Sequence, residues 1–128
     1  MADDLPDIAY ELKRMAYQRA SIEITMLDQR AQLADFVDER KSCSLRIKEL
    51  QALEVPPMTD DKDVTEGQRL RQQKALLEVD REVLGVEARM AEIDMLERRY
   101  KTNITASEGA LVELDENMTA MKEAHTNG

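Results

Sequence analysis

The chain has 128 residues, a net charge of −9 and 42% hydrophobic content, yet only 3% aromatic residues, with no Trp and one Phe, Phe36. Compact multilayer cores lean on large aromatics for buried area, so that class is set aside. Charged residues reach 35% against only four Gly and three Pro, which is the composition of long helices.

The first element expected is a helix over about 4–54. Asp3, Asp4 and Asp7 flank Pro6, placing acids and a proline in a first turn whose unpaired N–H groups favour them. From Leu5 onward, apolar residues recur at heptad positions a and d through Ile8, Leu12, Met15, Ile22, Met26, Leu33, Phe36, Cys43, Ile47 and Leu50. Eleven of the fourteen positions are apolar, and Arg19, Gln29 and Arg40 are the exceptions. Cys43, the only cysteine, excludes an intrachain disulfide, and its d position reads as a small buried hydrophobe. Cys43 and the lone His125 do not make a closed zinc site in one chain.

"VPP" at 55–57 ends this helix, because a residue before proline is pushed out of the α region. A turn is expected over about 55–66, carrying Asp60, Asp61 and Asp63 at its tip. "DDKDVTEG" lacks the spacing of a calcium loop, since Gly67 falls one place late and Gln72 stands where Glu is required, so it reads as a solvated acidic turn. Thr59, or Asp63 with Glu66 in a capping box, can start the next helix.

That second helix is expected over about 67–122, with a frayed tail at 123–128. With Leu76 at a, twelve of fourteen a/d positions through Met121 are apolar, and Glu97 and Ser107 are the exceptions. Seven heptads in each arm exceed the three or four that mark a coiled coil. The fold expected is all-α: one long antiparallel two-helix coiled-coil hairpin over 1–128, packed into a larger helical bundle by oligomerisation or by a partner. Its register is expected to set Gln29 opposite Glu97 and Arg19 opposite Ser107, with Leu50 against Leu76, so that four polar seam residues answer one another and fix the alignment.

A second apolar set lies off the seam: Tyr10, Tyr17, Ala20, Ile24, Leu27, Ala31 and Ala34 in the first arm, and Leu70, Leu77, Leu84, Ala88, Ala91 and Met95 in the second. The two patches are expected to overlap near mid-hairpin and to form a docking face for another copy or a partner protein.

Function follows by exclusion and by architecture. Residues 1–50 carry 10 acids and 8 bases, and 66–100 carry 8 and 7, so no basic face exists to gather phosphates. Neither nucleic acid nor an anionic membrane surface is an expected partner. No run approaches the roughly 18 apolar residues of a membrane span. The opening "MADDLPDIAYELKR" has no basic start and no apolar run, so it is not read as a signal peptide. The expected location is cytoplasmic or otherwise intracellular, or within a virus particle, rather than secreted. No catalytic constellation, metal site or cofactor motif is legible, and an enzyme is not expected. The reading is a coiled-coil structural or assembly subunit, a homo-oligomer serving as scaffold, spacer or connector in a larger complex, viral or phage particles included. The alternatives are a small acidic protein that docks a basic partner through its hairpin face or acidic tip, and a holdase-type chaperone.

Overall fold

The computed structural model describes residues 7–53 and 64–127. Two helices pack against each other as a helical hairpin: α1, Ile8–Gln51, and α2, Glu66–Asn127. The expected turn with Asp60, Asp61 and Asp63 lies outside the described residues.

Each helix start is explained by a side chain that satisfies an otherwise unpaired N–H. At α1, the Tyr10 N–H donates to Asp7 Oδ1 at 3.3 Å. At α2 the cap is Thr65: the Gln68 N–H donates to Thr65 Oγ1 at 3.2 Å, and the Thr65 N–H donates to Gln68 Oε1 at 3.1 Å, while Thr59 and Asp63, the caps expected, lie outside the described residues. This is a capping box of the Thr-x-x-Gln form. Gly67 therefore falls within the first turn of α2, where the box holds the backbone that glycine would otherwise loosen. At its far end α2 continues to Asn127, through residues 123–127 that were expected to fray.

Contacts divide the chain into two units. The first joins α1 up to Ala34 with α2 from Glu97. Met26 and Ile104 are its buried residues, and Leu12, Met15, Ile22, Leu33, Leu111, Leu114 and Met118 are half-buried around them. The second unit spans Asp35–Leu96 and buries Phe36, Leu50 and Ile93, with Cys43, Ile47, Val83, Val86 and Met90 half-buried. In both units these are heptad seam positions, so these side chains face inward as predicted.

The register differs from the expected one. In the first unit Arg19 donates from Nε to Asp115 Oδ1 at 2.7 Å rather than meeting Ser107, and Arg30 Nη2 reaches Glu108 Oε1 at 3.0 Å. The expected alignment would have set Arg30 against Lys101 and Glu23 against Glu108. In the second unit Arg89 clamps Glu39 and Arg46 reaches Glu82, where the expected alignment would have set Glu39 against Glu82. Each flanking partner on α2 thus lies one heptad beyond the expected one. Opposite charges directly across a helix pair attract and like charges repel, and the observed register is the one that matches them.

Two seam residues show the consequence. Gln29 does not find Glu97: its Oε1 is buried with no hydrogen-bond partner. Leu76, expected to face Leu50, is 46% exposed, whereas Leu50 is 2% exposed.

Candidate protein-interaction faces

Two of the polar seam residues are arginines that use their length. Arg19 sits at an a position, half-buried, and its guanidinium reaches past the seam to Asp115 while also holding Glu23 on its own helix. Arg40, in the second unit, reaches Asp94 in the same manner. Both acids stand one residue beyond an apolar seam residue of α2, Leu114 and Ile93. The stem stays covered while the charged head finds an acid at the edge, which is the economical way to seat arginine in an apolar stripe.

The strongest pair by geometry is in the second unit. Arg89 Nε donates to Glu39 Oε2 at 2.6 Å and Nη2 donates to Glu39 Oε1 at 2.9 Å, a two-pronged contact of planar groups. The Arg89 hydrogen bonds hold Glu39 below the usual carboxylate range, and Arg19 does the same to Asp115. Glu39 and Asp115 in turn raise their arginines further above an already high value. These pairs orient the two helices of each unit.

The outward residues are where an interaction partner has access. In the first unit Tyr10, Tyr17, Ile24 and Leu27 lie on α1 with Ala20, Ala31 and Ala34 among them, all exposed, and Tyr17 reaches 75%. In the second unit Leu70, Leu77 and Leu84 form a row on α2 with Ala88, Ala91 and Met95, again all exposed, Leu84 at 64%. The first set belongs to the first unit and the second set to the second. Sequence reasoning passed over Leu45, in the second unit, and Val112, in the first, both more than half exposed. Val112 lines a shallow groove of about 530 Å³ with Met26, Leu27, Arg30, Glu108 and Leu111. The signal for Val112 was its heptad spacing from Leu84 and Ala91, which an interruption by Arg98 and Thr105 concealed.

The remaining chemistry is sparse. Among the described residues no three His, Cys, Asp or Glu side chains converge to hold a metal ion, and no helix is long and apolar enough to cross a membrane. Cys43 is half-buried in its seam position. Comparison with known protein families, with characterised proteins and with solved structures finds no match to this chain.

Proposed function

We propose that this chain is a non-enzymatic coiled-coil subunit that assembles with itself, or into a larger complex, as a scaffold, spacer or connector; a component of a viral or phage particle belongs to this class. The observation that carries the reading is the outward row of large apolar residues at heptad spacing, from Tyr10 through Tyr17 to Ile24 on α1 and from Leu70 through Leu77 to Leu84 on α2. Scattered surface leucines are ordinary, but rows at a constant helical phase are how a helix presents a face to another helix. A second support is the thinness of the interior. Helices of 44 and 62 residues share five buried apolar side chains among the described residues. Helical elements with so little covered surface gain most by packing against neighbours.

Replacing Leu27 and Leu84 with Glu tests the reading. The variant should lose its higher mass in light scattering while its helix content by circular dichroism stays unchanged, because both side chains are exposed. An oligomer of undiminished mass in that variant refutes an assembly built on these faces.

A further inference from the structure

We infer that one edge of the second unit is a self-association face, on which α1 of one copy lies parallel to α2 of a second copy about a two-fold axis that crosses the helices level with Ile47 and Val86. The inference rests on the assembly reading above and supplies the partner, the contacting elements and their alignment.

The two edges of the second unit differ. One is closed by cross-helix ion pairs, Glu39 with Arg89 and Arg46 with Glu82. The other is crossed by Arg40, which reaches Asp94. On that side α1 offers a shallow groove of about 370 Å³ lined by Val37, Arg40, Lys41, Ser44, Leu45 and Lys48. There α2 carries Asp80 and Glu87 at heptad steps from Asp94. Lys41, Lys48, Asp80 and Glu87 are all exposed, and among the described residues none of the four forms an ion pair or side-chain hydrogen bond within the chain. This edge thus has an unanswered basic ridge on one helix and an unanswered acidic ridge on the other. A second copy of the same edge, turned by a two-fold axis, supplies the opposite charge to both ridges at once.

Spacing fits the apolar residues to the charges. Lys41, Leu45 and Lys48 stand four and three residues apart, and so do Asp80, Leu84 and Glu87. Laid parallel they match one to one: Lys41 on Asp80, Leu45 on Leu84, Lys48 on Glu87, with Val37 on Leu76 one turn earlier. Val37, Leu45, Leu76 and Leu84 are all exposed, so the pairing covers apolar surface that the hairpin leaves in water. The match does not close within one chain, where α1 and α2 run antiparallel. A two-fold axis along the helices keeps that antiparallel order, so only an axis across them gives the parallel pairing. Sliding one heptad in one direction puts Lys48 on Asp94, already held by Arg40, and leaves Asp80 without a lysine. Sliding in the other puts Lys41 on Gln73 and leaves Glu87 without one. An antiparallel pairing of two α2 rows, Leu77 on Leu84, leaves Lys41 and Lys48 outside the contact.

The test uses two full-length variants, Lys41→Glu with Lys48→Glu, and Asp80→Lys with Glu87→Lys, in sedimentation equilibrium, with helix content followed by circular dichroism. Each variant alone sets like charges together in both halves of the dimer and should associate about tenfold more weakly than wild type. Their equimolar mixture should recover the wild-type association, because in a mixed pair every ridge again meets its opposite. The second variant is less acidic than wild type, so relief of general repulsion would strengthen its association, the reverse of the result expected. In a wild-type chain that does oligomerise, undiminished association of the Lys41 and Lys48 variant, or a mixture no stronger than its components, overturns this face and leaves the assembly reading standing. A wild-type chain that stays monomeric at all concentrations overturns both.

Discussion

Gln29→Met should stabilise the first unit. Gln29 occupies a d position of α1, and its Oε1 is buried without a hydrogen-bond partner. Leaving a buried acceptor unsatisfied costs about 1–3 kcal/mol, and replacing it with an apolar group of similar length removes that cost. Methionine matches glutamine in length and adapts to irregular surroundings, so overpacking is small and a gain of about 1–2 kcal/mol is expected, the lower part of that range. With a urea slope of about 1–3 kcal/mol per molar for a small protein, the unfolding midpoint should rise by about 1 M with the slope unchanged. The measurement is urea denaturation followed by circular dichroism at several protein concentrations, so that a change in association is separated from a change within the hairpin. The register first expected from the sequence makes the opposite forecast. There Gln29 partners Glu97, and Gln29→Met would strand a carboxylate in the seam and destabilise. A lowered midpoint therefore refutes the register observed here.

Three further outcomes follow from named contacts. Ile93→Ala, at a residue with 0% exposure, should cost about 2–5 kcal/mol in the same assay, whereas Leu76→Ala, at a residue 46% exposed, should cost about 1 kcal/mol, with equal costs contradicting the packing. Thr65→Ala removes the capping box of α2 and should cost about 0.5–2 kcal/mol, while Thr65→Asn should retain most of it, as read from thermal melts. Glu39 and Asp115 titrate lower in the folded chain than in the unfolded one, so their contribution is present above the ordinary carboxylate range, near pH 4, and is lost as pH falls through their depressed values. The melting temperature should fall in that acidic window, and the combined Glu39→Gln and Asp115→Asn variant should flatten the fall; an unchanged acid profile in the variant counts against these pairs.

The helices, their seam and the exposure of the off-seam residues were legible because a heptad repeat maintained over each arm leaves little choice of face. The register was legible too, but in positions the seam-based reasoning did not weigh. Matching Gln29 with Glu97 and Arg19 with Ser107 treats polar seam residues as if they must find each other across the core. Arginine is long enough to avoid that: Arg19 and Arg40 reach acids at the rim, Asp115 and Asp94, and leave the seam itself to apolar neighbours. The charges flanking the seam then decide the alignment, since Arg30 with Glu108, Glu39 with Arg89 and Arg46 with Glu82 agree only in the observed register. Gln29 is the residue left unsatisfied by that outcome. The cap at Thr65 escaped notice because glutamine at 68, rather than an acid, completes the box. Residues 123–127 continue the helix, since neither glycine nor proline occurs among them.

The mass of the wild-type chain in solution, measured by sedimentation equilibrium across a wide concentration range, tests assembly through the outward apolar rows most directly. The account predicts a species at twice the 14.6 kDa chain mass or a higher multiple, dissociating on dilution. A single species of 14.6 kDa at every concentration would contradict it.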